Sequence, residues 1–205
     1  MLQKNQLNIS YIYNRLSQII FQKLYPNAPW LTKLSIRLLV DLIMESDIGL
    51  EFGSGRSTLW FAKKCKHLTS IENNPYWYKK ISAKLNNYNN IEYYLKNLKE
   101  SAKNSEYYNS IHAFKDDHFD FILIDGKYRD LLALESINKL KKGGLLILDN
   151  AERYLPNDFK TPSSIGRNNN KVNGNWREFY KKTTTWRRIW TSNGVSTTLI
   201  LFKPA

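Results

Sequence analysis

The chain has 205 residues, of which 42% are hydrophobic, and this size and apolar content suit one domain with a single core. One cysteine, Cys65, excludes an internal disulfide and favours a reducing compartment, so we expect a cytoplasmic protein. The 31 Lys and Arg residues exceed the 18 Asp and Glu residues by 13, which favours phosphates, nucleic acid or acidic glycans as partners, although the lysines are scattered.

The N-terminal region predicts two helices. The first residues, MLQKNQLNIS, lack an apolar core and a small-residue cleavage site, so we expect no signal peptide. Apolar residues recur at helical spacing over residues 9–23 and 31–45, on either side of the turn YPNAPW. The apolar run LSIRLLVDLIM is interrupted by charges and too short to span a bilayer, so we expect no membrane span.

From residue 48 onward, short apolar strands alternate with helices. The predicted strands are IGLEF, HLTSIEN, IEYYL, FDFILID and GGLLILDN. The predicted helices are STLWFAKKC, NPYWYKKISAKL and RDLLALESINKLKK, the last of which should stop at Gly143-Gly144. Such alternation predicts a parallel sheet, and the tail TTTWRRIWTSNGVSTTLILFK predicts a closing antiparallel hairpin around Asn193-Gly194.

The stretch GLEFGSGRST places a glycine-rich turn directly after the first strand. A P-loop would need Gly-Lys-Ser/Thr, but Arg56 follows Gly55, and a dinucleotide site would need a third glycine where Thr58 stands. S-adenosylmethionine needs only close backbone approach, because its amino-acid end carries no phosphate. Its ribose diol suits a carboxylate at the end of the next strand, where Glu72 lies.

Four stretches, LEFGSGRST, TSIENNPYWY, FDFILIDGKYR and GGLLILDNAERY, resemble the class I S-adenosylmethionine-dependent methyltransferases. The resemblance covers residues 28–203, and the pattern looks particularly like a group of bacterial methyltransferases often associated with glycan or secondary-metabolite pathways. It implies S-adenosylmethionine as cofactor, bound by Glu51, Phe52, Gly53, Ser54, Gly55, Ser57, Thr58, Glu72, Asn73, Asn97, Asp125 and Gly126. Lys96 and Asn97 would approach the adenine, although a solvated loop explains both equally well.

The fold expected from these patterns is α/β, a Rossmann-like doubly wound, mostly parallel seven-stranded sheet with an antiparallel C-terminal hairpin and N-terminal helices. One domain should span residues 1–205. It divides into a helical cap (1–47), a cofactor-binding core (48–150), an acceptor loop or lid (151–184) and a closing hairpin (185–203). The lid is expected because residues 155–175 form a long stretch rich in Pro, Gly, Ser and Asn.

The resemblance favours an oxygen acceptor. Asp125-Gly126-Lys127-Tyr128 replaces the Asn/Asp-Pro-Pro-Tyr of enzymes that methylate base nitrogens, and Cys65 lies on an early helix, away from the loop that cytosine-carbon chemistry uses. We therefore expect O-methylation of a sugar or other small hydroxylated metabolite. Asp125, Arg129 and Asp149 are the candidate catalytic residues, with either carboxylate as proton acceptor.

A divalent ion is a second possibility at the same rim. Asp125, Asp149 and Asn150 are similar to the oxygen ligands of catechol and caffeoyl-coenzyme-A O-methyltransferases, which implies Mg²⁺ gripping a diol. The alternative is that Asp125 orients the cofactor or acts as a base, while Asp149 and Asn150 cap the following segment.

Aromatic side chains are the candidates for acceptor stacking: Trp30, Tyr128, Tyr154, Trp176 and Trp186. Each of them is equally compatible with core or lid packing. Two other functions stay open: an RNA or protein methyltransferase that uses the basic charge, and a non-catalytic protein that retains the fold.

Overall fold

The computed structural model describes residues 9–172 and 174–205. Its helices are α1 (Ile9–Leu24), α2 (Lys33–Leu42), α3 (Arg56–Ala62), α4 (Pro75–Ser82), α5 (Glu106–Asn109), α6 (Arg129–Lys139) and α7 (Gly174–Thr183). Its strands are β1 (Ile48–Phe52), β2 (His67–Glu72), β3 (Ile91–Leu95), β4 (Phe119–Ile124), β5 (Leu140–Asp149), β6 (Arg187–Ser192) and β7 (Thr197–Phe202). The expectation of no signal peptide falls on residues outside this description, as do residues 1–8 of the predicted cap and position 173 of the predicted lid.

The strands form one seven-stranded sheet in the order β3-β2-β1-β4-β5-β7-β6. Strands β1 to β5 pair with one another in parallel, and β7 is antiparallel to both β5 and β6. The expected fold class is therefore confirmed. Because the strand order reverses between β1 and β4, their carboxyl ends open a crevice where ligands bind in sheets of this kind.

Apolar clusters cover both faces of the sheet. On one face α6 and α7 contribute Leu132 and Phe179, which pack with Phe119 of β4. On the other face Leu39 of α2 and Phe61 of α3 pack over β1, β2 and β4. All five of these side chains are fully buried, and each such burial contributes roughly 1.5–3 kcal/mol to stability.

The boundary between α6 and β5 differs from the prediction. The helix ends at Lys139 rather than at Gly143-Gly144, and β5 begins at Leu140. Leu140 is fully buried and pairs with Phe119, so its burial in the sheet outweighs the helical spacing. The ladder then shifts register, and Gly143 adopts a positive φ of 77° inside the strand.

The described residues of the segment 151–184 form regular elements as well as loops. Short 3-10 turns at Ala151–Arg153 and Asn169–Lys171 are followed by α7, which packs against α6. Val172 and Trp176 join the core cluster on that face. The buried apolar residues of this segment therefore hold most of it against the side of the domain.

The N-terminal helices lie beside the sheet, as expected. Thr32 caps α2 by accepting a hydrogen bond from the Ser35 amide. Helix α1 has no buried residue, and its half-buried polar face includes Asn14, Gln18 and Gln22. In the described part of the chain, no helix combines the length and apolar character that a bilayer crossing requires.

Candidate functional site

The turn after β1 and the turn after β4 contact each other through their backbones. Gly53 has a φ of 95°, and a Cβ there would lie 2.7 Å from the Gly126 nitrogen. A Cβ on Gly126 would lie 1.8 Å from the hydroxyl oxygen of Tyr107, which is fully buried. Neither position has room for a side chain, so both glycines are required by packing.

Gly55 is different, because its backbone is extended and its surroundings are open. A Cβ there would meet only Ser57 Oγ, at 4.0 Å. The Gly55 amide donates to Thr58 Oγ1 at 2.9 Å, and that hydroxyl donates to Glu51 Oε2 at 2.6 Å. These hydrogen bonds fix the inner side of the turn, whereas its outer side is open to a ligand.

Glu51 supports this turn from the interior. Its Oε2 also accepts from Ser70 Oγ at 2.6 Å, whereas its Oε1 is buried without a hydrogen-bond partner. Burial raises the pKa of Glu51 to about 7, although the hydroxyls of Ser57, Ser70 and Thr58 act in the opposite direction. Phe52 is likewise buried, with its ring against Tyr107. Of the expected cofactor residues, Glu51, Phe52 and Thr58 therefore lie behind the turn.

The open side of the turn faces a cavity of about 350 Å³, which we call the turn cavity. Its lining includes these expected cofactor residues: Gly53, Ser54, Gly55, Ser57, Glu72, Asn73, Asp125 and Gly126. It also includes Trp30 and Arg129, which were expected to have other roles, and Leu31, Arg56, Asn74, Trp77 and Lys127, which the sequence reasoning did not place in the cofactor site. The Asn-Pro sequence at positions 74 and 75 was a usable signal for Asn74, since Asn74 caps α4 and accepts from the Tyr76 and Trp77 amides.

Glu72 lies at the tip of β2, and both of its oxygens are already hydrogen-bonded. Oε1 accepts from the Asn73 and Asn74 amides, each at 2.8 Å. Oε2 accepts from the Ser54 amide at 2.9 Å and from Ser54 Oγ at 2.7 Å. Four donors saturate a carboxylate. A diol could reach Oε2 only where the Ser54 hydroxyl now stands, next to the Tyr93 hydroxyl at 2.6 Å.

The two residues expected near an adenine do not line the turn cavity. The Asn97 amide donates to Glu106, and its carbonyl accepts from the Tyr107 amide at 3.2 Å. The Lys96 amine lies 5.6 Å from the centre of the Tyr94 ring. These contacts hold both residues in the loop after β3, which matches the solvated-loop alternative.

Arg129 joins the ends of β4 and β5. Its Nη2 donates to Asp125 Oδ1 and to the Asp125 carbonyl, both at 2.6 Å. Its Nη1 donates to the Asp149 carbonyl at 2.6 Å, and its Nε donates to the Gly126 carbonyl at 3.0 Å. With its nitrogens used in this way, Arg129 holds the rim in place.

The carboxyl groups of Asp125 and Asp149 interact at this rim. Burial raises the pKa of Asp149 well above its usual range, and the Asp125 charge raises it further. Burial also raises the pKa of Asp125, although Arg129 and the interaction with Asp149 act in the opposite direction. Each carboxyl therefore favours its protonated form more than an isolated one would, and the two titrate as a pair.

The expected metal ligands Asp125, Asp149 and Asn150 do not fit a divalent ion. The Arg129 guanidinium occupies Asp125 Oδ1, and the Asn150 amide donates to Asp149 Oδ2 at 2.8 Å. Mg²⁺ needs free oxygen ligands around an open position, and the Arg129 and Asn150 contacts already use Asp125 Oδ1 and Asp149 Oδ2. Nowhere in residues 9–172 and 174–205 do three or more His, Cys, Asp or Glu side chains group as they would around a metal. The expectation of Mg²⁺ at these residues is therefore corrected.

A second cavity, of about 410 Å³, lies under α1, and we call it the α1 cavity. It is lined by Arg15, Gln18, Gln22, Trp30, Asp149, Asn150, Arg153, Val195 and Ser196. Trp30 is also part of the turn cavity, where its ring centre lies 5.9 Å from that of Trp77 and 5.5 Å from the Arg56 guanidinium. Trp30 therefore forms part of the wall of both cavities, a position that suits a residue that stacks on an acceptor.

The other expected stacking residues face elsewhere. Trp176 and Trp186 are buried in the core, and Tyr154 stacks on Trp176 with ring centres 4.9 Å apart, so these rings stabilise α7 and β6. Tyr128 donates to the Lys99 carbonyl and packs against Tyr108. Stacking on an acceptor needs an exposed ring face at the rim, which the buried Trp176 and Trp186 do not offer, and Tyr128 and Tyr154 line neither the turn cavity nor the α1 cavity.

Cys65 is a core residue, although it lies beyond α3, which ends at Ala62 rather than at the predicted Cys65. It lies in the apolar cluster that α2 and α3 form over the sheet. Burial raises the pKa of its thiol to about 12, so the thiolate that a cysteine nucleophile requires is disfavoured.

No protein-family model matches the chain, and no curated protein matches its sequence. Among solved structures, it is similar to a Staphylococcus aureus protein described as a caffeoyl-CoA O-methyltransferase (TM-score 0.55, 19% identity, 95% of this chain and 93% of that one). It is also similar to an rRNA methylase from Streptococcus thermophilus (0.55, 14%, 84% and 95%). A third match is the Streptococcus mutans protein SMU.1697c, described as a methyltransferase in complex with SAH (0.57, 13%, 83% and 96%). At these identities the likeness establishes the fold, and the resemblance to methyltransferases is confirmed at that level, whereas the glycan or secondary-metabolite sub-group is not.

Proposed function

We propose that the chain is an S-adenosylmethionine-dependent methyltransferase. The observation that carries the proposal is the turn cavity itself, in which the open space above Gly55 and the carboxylate of Glu72 face the same volume. The amino-acid end of the cofactor would rest on Gly53-Ser54-Gly55. The ribose hydroxyls would replace the Ser54 hydroxyl at Glu72 Oε2.

We further propose a hydroxyl oxygen of a sugar or other small hydroxylated metabolite as the acceptor. In that reaction the acceptor oxygen forms a bond to the methyl carbon while the carbon–sulfur bond breaks, which leaves S-adenosylhomocysteine. The acceptor's proton passes to a carboxylate of the Asp125–Asp149 pair, whose raised pKa values favour taking it up. Asp149 lines the α1 cavity and is the closer of the two to an acceptor there.

Calorimetry with S-adenosylhomocysteine tests the cofactor assignment. Glu72→Ala should weaken binding at least tenfold, about 1.4 kcal/mol. Ser54→Ala should bind as tightly as the natural chain or tighter, because it vacates the position that the ribose takes. Glu92→Ala, which removes an exposed carboxylate from β3, is the matched control. Equal affinity in the Glu72 and Glu92 variants would contradict the assignment.

A nucleic-acid acceptor is the second candidate, favoured by the net charge of +13. Binding of a generic RNA should then weaken steeply with salt, since each neutralised phosphate adds about −0.7 to the logarithmic slope for single strands. A slope near zero would leave the small acceptor as the better account.

A further inference from the structure

Helix α1 turns polar as well as aromatic residues toward the domain: Tyr11 and Phe21 are half-buried beside its amide side chains, while several aliphatic residues face solvent. Its polar residues Asn14, Gln18 and Gln22 recur every fourth position and are half-buried. Its aliphatic residues on the opposite side, such as Leu16 and Ile20, are more than half exposed. Surface helices normally bury their apolar face, so the inward polar face needs a reason.

The α1 cavity supplies that reason. Gln18 and Gln22 are part of its wall, together with Asn150 and Ser196 from the other side. A space of about 410 Å³ walled by amide and hydroxyl groups suits a small polar ligand of one or two rings.

The charged groups in this wall are mainly positive. The Arg15 guanidinium has one hydrogen bond in the described residues, from Nη1 to Gln18 Oε1 at 3.0 Å. Arg153 has no side-chain hydrogen bond there, and its nearest carboxylate oxygen is Glu152 Oε1, 3.9 Å from Nε. Asp149 is the one carboxyl group among the described residues of this wall, and its backbone is bound by Arg129.

We propose that the α1 cavity binds an anionic acceptor, a hydroxylated molecule whose carboxylate or phosphate group is held by Arg15 and Arg153. The planar fork of arginine matches both kinds of anion. The Trp30 ring offers a face for the acceptor's ring, and Asp149 lies on the same wall to meet its hydroxyl. This assignment deepens the proposed function and rests on it for the direction of the hydroxyl.

Equilibrium binding of three probes tests the proposal. The probes are glucuronate, glucose 6-phosphate and glucose, titrated by NMR against the full chain without cofactor. Glucuronate, glucose 6-phosphate or both should bind about tenfold tighter than glucose, because two charge-assisted contacts are added. The preferred probe identifies the anion as carboxylate or phosphate.

Arginine variants then locate the site. Arg15→Ala and Arg153→Ala should each remove most of the preference for the anionic probe. Arg187→Ala, which deletes the same charge from an exposed position of β6, should leave it unchanged. Equal or undetectable binding of all three probes, or equal effects of all three variants, would overturn the proposal.

A separate measurement distinguishes this proposal from the proposed function. Glu72→Ala should leave probe affinity unchanged while it weakens S-adenosylhomocysteine binding. Probe binding by a chain that fails to bind S-adenosylhomocysteine would retain the anion site and reject the methyltransferase assignment. S-adenosylhomocysteine binding by a chain that shows no preference for the anionic probes would reject the anion site alone.

Discussion

The turn cavity and the α1 cavity share Trp30 but differ in how they are built. The turn cavity is formed by the ends of buried parallel strands, and the side chain of Glu72 in its wall is hydrogen-bonded to saturation. The α1 cavity is closed by a helix without a buried residue. The first is therefore fixed by the sheet, whereas the second depends on contacts that can change with little cost to the core.

Gly126 and Gly55, two of the glycines that line the turn cavity, give the largest expected effects. Gly126→Ala should lower the free energy of unfolding by about 3 kcal/mol, because its Cβ collides with the buried Tyr107 hydroxyl. Thermal unfolding measures this, and the double variant with Tyr107→Phe should recover part of the loss.

Gly55→Ala tests ligand access to the turn separately from the packing of the turn. Its Cβ enters open space, so the melting temperature should stay unchanged. The affinity for S-adenosylhomocysteine should fall at least tenfold, about 1.4 kcal/mol. A Gly55→Ala variant with a lowered melting temperature and an unchanged affinity for S-adenosylhomocysteine would contradict the role of this turn as a binding surface.

Glu51 provides the next effect, on the pH dependence of stability. Its pKa of about 7 in the folded state lies above the usual 4.5, so the folded state holds the proton more tightly. This contribution is complete below about pH 4.5 and is lost as the pH rises through 7. Glu51→Gln should therefore be more stable than the natural chain by about 3 kcal/mol at pH 8.

Urea unfolding at pH 5 and pH 8 measures the difference between the two chains. Near pH 5 they should be almost equally stable, since both carry an uncharged group there. Glu92→Gln, at an exposed position, is the control for charge loss. A Glu51 variant that is less stable at pH 8 would contradict the buried, proton-binding role.

Arg56 gives the smallest expected effect, on the α1 side. It donates to the Gln22 carbonyl at 3.1 Å and lies over Trp30, so it links α3 to α1. Arg56→Ala should change the free energy of unfolding by less than about 1 kcal/mol. Amide exchange in the last turns of α1 should nevertheless become faster, while β1 stays protected. Equal protection of α1 and β1 in the natural chain would remove the contrast between the cavities.

The strands and the position of Glu72 were predictable because they depend on local pattern. Continuous apolar runs identify strands buried on both faces, and one β-α-β unit fixes where the next carboxylate falls. The start of β5 was not predictable, since the pairing of Leu140 with Phe119 is a long-range contact that overrode a Gly-Gly stop signal.

The contacts of the site itself were harder to predict. Arg129 binds three carbonyl oxygens, and backbone acceptors leave no trace in the sequence. The raised pKa values of Asp125 and Asp149 depend on burial and on their mutual approach. Trp176 and Trp186 were misassigned because an aromatic residue type does not indicate which way its ring faces.

Trp30 belongs to both cavities, and this has a thermodynamic consequence. A molecule that shifts this indole from one side alters the space offered on the other. Thermodynamic linkage then requires that two factors be equal. Bound S-adenosylmethionine increases the affinity for the acceptor by the same factor by which bound acceptor increases the affinity for S-adenosylmethionine. A replacement of Trp30 by Leu should reduce both factors together, which makes cooperativity between the two ligands a property of a single side chain.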